Sequence, residues 1–202
     1  MANPMYGQNK HDNSADLIIG EKGIAYPRRN VISMGATTAE TDLTAAQSSS
    51  LIVLNSTAGQ IQVINLPTVK PENVGIYYDF VVTVIGNSAA AGSYTINTGG
   101  HASDWDSATK GYDDFIGTLK IVDNVAVTTA DKSNIVPAGG EGALIIADDT
   151  TNGVADVGTS FRLTAVIAST IGTAAGNVWL IDGTMMTAQA TSFVTTNVFT
   201  AP

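Results

Sequence analysis

The stretch Ile76-Tyr-Tyr-Asp-Phe-Val-Val-Thr-Val-Ile85 constrains this chain more than any other. Ile76, Tyr78, Phe80, Val82 and Val84 recur at every second residue, and only a strand places such residues on one face. The opposite face holds Tyr77, Asp79, Val81, Thr83 and Ile85. Because that face is half apolar, it calls for cover, either from a second sheet of the same core or from a partner. Phe161-Arg-Leu-Thr-Ala-Val-Ile167 repeats the pattern, with Phe161, Leu163, Ala165 and Ile167 together. Further strands are expected at Leu51–Leu54, Ile61–Leu66, Tyr94–Asn97, Phe115–Val122, Ala143–Ala147 and Asn177–Ile181, each bounded by Gly, Asn, Asp, Ser or Pro. Leu51–Leu54 and Ile61–Leu66 read as an opening hairpin turning at Asn55–Gln60. Pro67 ends its second strand, because proline has no N–H to give to a ladder. No segment keeps apolar residues at helical spacing over three turns, and Ser88–Gly92 is too short and too glycine-bounded to be a helix. The expectation is an all-β fold, an antiparallel β-sandwich or a jelly-roll-like barrel, without a clear internal repeat.

Residues 1–30 break this pattern. They mix Gly, Pro, Asn and charges around isolated anchors such as Met5, Leu17, Ile18 and Ile19. They read as an extended N-terminal arm ahead of a single β-sandwich-like domain at residues 31–202. Aromatic and arginine side chains dominate protein contacts, so Tyr6, Tyr26, Arg28 and Arg29 are the candidate contact residues of the arm. Two long loops are expected, Thr98–Asp114 and Asp148–Thr159, and loops of that length call for a function, a partner or disorder.

The 202 residues suffice for one sizeable core. Charged residues make up 13%, about half the usual ~25%, as suits a protein whose surface is covered by neighbours. The formal net charge is −9. It is unevenly placed: the arm has four cations against three acids, and the remainder has five against 15. Such an acidic body argues against lying on nucleic acid or an anionic membrane. The chain has no cysteine, which removes disulfides, thiolate nucleophiles and zinc–sulfur sites. No apolar run approaches the ~18 residues of a membrane helix. The start of the chain has no basic-then-apolar signal layout, so a soluble protein made in a cytoplasm is expected.

Chemistry-bearing motifs are sparse. His101 lies near Asp104, Asp106, Asp113 and Asp114, but a lone histidine in an acidic loop reads as solvated rather than as a metal ligand. Asp148, Thr150, Asn152, Gly153 and Asp156 resemble a calcium loop, yet Thr159 stands where a bidentate Glu would close it, so a turn is expected and calcium is the lesser reading. Gly139-Gly140-Glu141-Gly142 has no lysine for phosphates and reads as a turn. The neighbouring carboxylates Asp113–Asp114 and Asp148–Asp149 do not predict the facing pair of a glycosidase. Trp105 and Tyr112, beside acids in the first long loop, would suit stacking on a sugar. No enzyme, cofactor or metal is expected.

The run Thr41–Val84 resembles a recurrent module of tailed-bacteriophage virion structural proteins. Its pieces here are Asp42-Leu-Thr-Ala45, Leu51–Asn55, the small-residue turn Thr57–Gln60, Ile61–Pro67, Gly75 and Tyr77–Val84. Tyr94-Thr-Ile-Asn97, Phe115-Ile-Gly-Thr-Leu119 and the closing Asn177-Val-Trp-Leu-Ile-Asp-Gly183 extend the likeness over residues 41–184. The resemblance is greatest to capsid decoration, or cement, proteins. It implies a virion role on the capsid exterior. The chain would bind the assembled head and stabilise contacts between major capsid proteins, as a homotrimer, with no nucleic acid or membrane partner. The alternative is a phage tail or receptor-binding module in which Trp105 and Tyr112 meet a host glycan. A free carbohydrate-binding or adhesin domain is the third reading.

Overall fold

The computed structural model describes residues 18–20, 23–25, 29–35, 40–55, 61–85, 93–98, 113–123, 134–135, 137, 142–149, 153–171, 174–187 and 198–200. Its strands are β1 (Ile18–Gly20), β2 (Gly23–Ala25), β3 (Val31–Met34), β4 (Thr41–Asp42), β5 (Leu51–Leu54), β6 (Gln62–Asn65), β7 (Tyr77–Val82), β8 (Tyr94–Asn97), β9 (Asp114–Asp123), β10 (Asn134–Ile135), β11 (Ala143–Ile146), β12 (Asp148–Asp149), β13 (Gly153–Val154), β14 (Ser160–Ile171), β15 (Ala174–Thr187) and β16 (Phe199–Thr200). Two single-turn 3-10 helices, Ala45–Gln47 and Pro71–Asn73, are the helical elements among the described residues. The fold is all-β.

Two larger sheets carry most strands. One runs in the order β10-β9-β15-β14-β7-β5-β3 and the other in the order β16-β11-β8-β6-β4, each open at both edges. Both are mixed rather than antiparallel. In the first, β3, β5 and β7 are mutually parallel, β14 runs against β7 and β15, and β9 is parallel to β15. In the second, β4, β6 and β8 are parallel while β11 opposes β8 and β16.

The reason lies in the winding. From β3 to β8 each successive strand enters the other sheet, so β3, β5 and β7 alternate with β4, β6 and β8. Parallel neighbours need a crossover between them, and here the crossover is a strand of the opposite sheet instead of a helix. The expected hairpin of Leu51–Leu54 with Ile61–Leu66 is therefore replaced by an arch: Leu51 pairs with Val31 and Asp79, and Gln62 with Tyr94. Ile52, Leu54 and Ile64 all enter one core, which holds the two strands in separate sheets.

That core draws on both sheets, with Ile52, Tyr78, Phe80, Phe115, Phe161, Leu163, Trp179 and Ile181 from the seven-stranded sheet and Ile64, Tyr94, Ile96 and Leu144 from the five-stranded one. The rings of Phe80 and Phe161 stack at 5.0 Å, and Tyr78 lies 5.9 Å from Trp179. Tyr78, Phe80 and Val82 are buried as their alternation requires. Ile167 keeps the alternation of Phe161, Leu163 and Ala165 but is 43% exposed, because it lies beyond Thr164, where the pairing of β14 with β7 ends. On the outer side of the five-stranded sheet an amide ladder crosses three strands. The Asn97 side chain donates to Asn65 at 3.0 Å, and Asn65 donates to Asp42 at 2.9 Å.

Two glycines let the long strands approach. A Cβ on Gly183 would stand 2.4 Å from Phe161 Cα. Gly117 has φ +112, and a Cβ there would meet the Ile181 carbonyl at 2.1 Å. Two short pairings lie in stretches where the sequence shows no strand alternation. Part of the arm forms a hairpin, with Ile18–Gly20 paired antiparallel to Gly23–Ala25, since backbone pairing needs no side-chain periodicity. The stretch Asp148–Thr159 includes another, with Asp148 opposite Val154 and Asp149 opposite Gly153.

Candidate functional site

Strand register decides which side chains stand on the outer face of the seven-stranded sheet. Val31, Leu51, Asp79, Arg162, Asp182 and Thr118 form one row across six strands, because each is the registered partner of the next. A second row is Ser33, Val53, Val81, Ser160, Thr184 and Lys120. Tyr77, Thr164, Leu180 and Ile116 continue a third.

Asp79 organises the middle of this face. Arg162 donates to it through Nε at 2.7 Å and through a terminal nitrogen at 2.9 Å, a bidentate contact. Arg29 donates to the same carboxylate from the other side. Arg29 Nε also reaches the Ser49 carbonyl at 2.7 Å, where Ser49 takes φ 66. The Arg162 guanidinium lies 4.4 Å from the centroid of the Tyr77 ring, a cation–π contact. Partial burial pushes the Asp79 carboxyl up, but the bonds from Arg162 and Arg29 outweigh it and hold the group below the ordinary aspartate value. An open groove of about 410 Å³ runs over this region, lined by Leu51, Asp79, Val81, Ser160, Arg162, Asp182 and Thr184 among others.

A second polar cluster pins the crossing from β6 to β7. Asp113 is buried, and its Oδ2 accepts the Val69 N–H at 2.6 Å. Asn177 donates to the Val69 carbonyl at 2.8 Å. Asn73 accepts from the Lys70 N–H at 2.6 Å and donates to the Thr68 carbonyl at 2.8 Å. Burial pushes the Asp113 carboxyl up to about 7; the Val69 N–H opposes this and the Asp114 charge adds to it. These groups hold main chain in place. Among the described residues no group of three His, Cys, Asp or Glu could hold a metal ion.

Of the candidate contact residues, Arg29 is described. It is bonded to the body of the protein at Ser49, Ser50 and Asp79, which fixes the root of the arm on β5 and β7. Tyr6, Tyr26, Arg28, Trp105 and Tyr112 lie outside the described residues, as do His101, Asp104 and Asp106 and the middle of the calcium-like stretch at residues 150–152. Sequence reasoning missed the roles of Asp79, Arg162 and Asp113. A lone acid and a lone arginine inside two otherwise apolar strands were the available signal for the first two, since opposite charges inside strands pair across them. No family model, no curated protein and no solved structure matches this chain.

Proposed function

We propose that this chain is a two-sheet β-sandwich that serves as a bacteriophage capsid decoration protein. It is made in the host cytoplasm and sits on the exterior of the assembled head, where it stabilises contacts between major capsid proteins. The observation that carries the reading is the ordered virion-like series from Thr41 to Gly183, whose pieces fall in sequence order on β4, β5, β6, β7, β8, β9 and β15. The low charged fraction, the acidic body and the paucity of chemistry-bearing motifs support it.

A ligand that binds only the assembled lattice stabilises that state by mass action. The arm supplies reach: Tyr6, Tyr26 and Arg28 contact neighbouring capsid subunits, while Arg29 anchors its root. Ordering such an arm costs ~1–2 kcal/mol per residue, which the aromatic and arginine contacts must offset.

The test is addition of purified protein to expanded heads that lack it. The full chain should coat them and raise their resistance to heat, and a chain without residues 1–30 should remain folded but fail to coat. Full coating by the truncated chain would remove the arm from the mechanism. Densitometry of virions should give copy numbers that track the major capsid protein; a handful of copies per particle would place the chain in the tail and end this reading.

A further inference from the structure

We propose that the crossing from β6 to β7 is a pH-sensitive strap, fastened at Val69 while Asp113 holds a proton and released when that proton is lost.

At the two ends of the crossing, the Leu66 N–H donates to the Asn97 carbonyl and the Gly75 N–H to the Ala165 carbonyl, each at 2.9 Å. Between them, of residues 67–75, Val69 alone is buried, and side chains take both of its backbone polar groups. Asp113 accepts its N–H at 2.6 Å, and Asn177 donates to its carbonyl at 2.8 Å. These two side chains stand at adjacent strands, because β9 runs parallel to β15 with Asp114 opposite Val178. The remaining hydrogen bonds of the crossing among the described residues are internal. Lys70 donates to Asn73 and Asn73 to Thr68, around the single 3-10 turn Pro71–Asn73. The crossing can therefore lift as a unit, turning at Gly75, whose φ is +87.

Asp113 makes this fastening depend on protons. A buried carboxylate keeps its charge only where a cation or several donors meet it. Asp113 is 2% exposed, and its one donor among the described residues is the Val69 N–H. Asp114 on its own strand is a like charge that adds to the cost. Lys70 and Glu72 on the crossing are exposed, neither forms an ion pair with it among the described residues, and β15 presents Asn177, which does not titrate. Lifting the crossing hydrates the carboxylate for the loss of one buried side chain and two hydrogen bonds, whereas general unfolding exposes the whole core. The smaller opening therefore relieves the charge first. The closed form holds its proton up to about pH 7, and the open form gives it up near the ordinary ~3.9. The strap is thus tightest in acid. It loosens as pH rises between these values, by about tenfold per pH unit.

Hydrogen exchange of the full chain at pH ~5 and pH ~7, read amide by amide by NMR and corrected for intrinsic rates, tests this. The Val69 amide should lose about a hundredfold in protection between the two conditions. Dilute urea should leave its exchange unchanged but speed that of the Leu163 amide in β14, which opens only with the core. In Asp113→Asn, which keeps an acceptor for the Val69 N–H, protection at Val69 should be the same at both pH values. Asn177→Ala should lower it at both and leave the hundredfold ratio intact. The wild-type comparison of Val69 with Leu163 stands whether or not either variant folds. Val69 exchange that follows Leu163 in urea, wild-type protection that is equal at both pH values, or a hundredfold fall that persists in Asp113→Asn would overturn the inference.

Discussion

Replacing Asp113 with asparagine removes one titrating group from the interior and should change how stability depends on pH. Asp113 is 2% exposed and bonded to the Val69 N–H, and burial sets its carboxyl at about 7 in the folded protein. In the unfolded chain an aspartate titrates near ~3.9. Between these values the folded state binds a proton that the unfolded state has released. Folding stability therefore falls as pH rises through this window. A separation of about three in pKa corresponds to a ceiling of about 4 kcal/mol lost between pH ~4 and pH ~8. Asparagine keeps an oxygen for the Val69 N–H and presents the same donor and acceptor as the protonated acid, but it cannot ionise. Asp79 shifts the other way: its folded value is lowered by its arginines, so its contribution is lost only as pH falls below the ordinary carboxylate range, and it is common to both proteins. Urea unfolding of wild type and Asp113→Asn across this range should give curves that nearly meet at the acid end. Toward pH ~8 the variant should become the more stable by up to ~4 kcal/mol. A difference that does not change with pH would refute the burial of a titrating Asp113.

Other substitutions test other contacts. Gly183→Ala puts a Cβ against Phe161 Cα and the Ser160 carbonyl, at 2.4 and 2.5 Å, and should cost about 3 kcal/mol by thermal unfolding. Gly35→Ala, with nothing within 4 Å, should be nearly neutral, and equal effects would discredit the β14–β15 register. Asn177→Ala strips the Val69 carbonyl of its donor; a loss of about 1–2 kcal/mol in denaturant midpoint analysis is expected, and no loss would mean that the clasp is idle. Arg29→Ala should cost under about 1 kcal/mol, since solvent screens an exposed pair. It should also speed hydrogen exchange at the Leu51 amide, which donates to Asn30 beside it at 2.8 Å. Unchanged exchange there would show that Arg29 does not fix the arm's root.

Strand positions were largely legible because alternation leaves a local trace. Leu51–Leu54 and Tyr94–Asn97 emerge with the bounds that their apolar residues suggest. The long pair was underestimated. Past Ile181, Asp182, Gly183 and Thr184 dilute the apolar signal, yet β15 continues to Thr187 because β14 and β9 flank it on both sides. Sheet membership was not legible. Period two tells which side chains share a face, but it says nothing about which sheet owns the strand. The parallel partners Leu51 and Asp79 leave no mark in the residues between them, so the arch at residues 51–66 took the guise of a hairpin. Asp113 was hidden for a different reason. It sits in a run of acids that reads as solvated, and only the approach of Val69 from another part of the chain gives its burial a purpose.

The alternate winding of β3 to β8 also bears on how the chain reaches this structure. Neither β5 nor β7 can find its parallel neighbour until the intervening strand has been laid on the far side, so each early pairing closes a long loop. The hairpin of β14 and β15 is different: its partners are close in sequence and its ladder runs from Ser160–Thr184 to Ile171–Ala174. It is the longest local pairing among the described strands, and β7 and β9 add to its two edges. Assembly is thus expected to start late in the sequence and spread backward, with the earlier strands waiting for their template. Domains dominated by distant contacts fold slowly and expose unpaired edges meanwhile. Synthesis of this chain therefore passes through a period in which 13 of the 16 described strands have been made while the β14–β15 pair at the centre of the seven-stranded sheet has not.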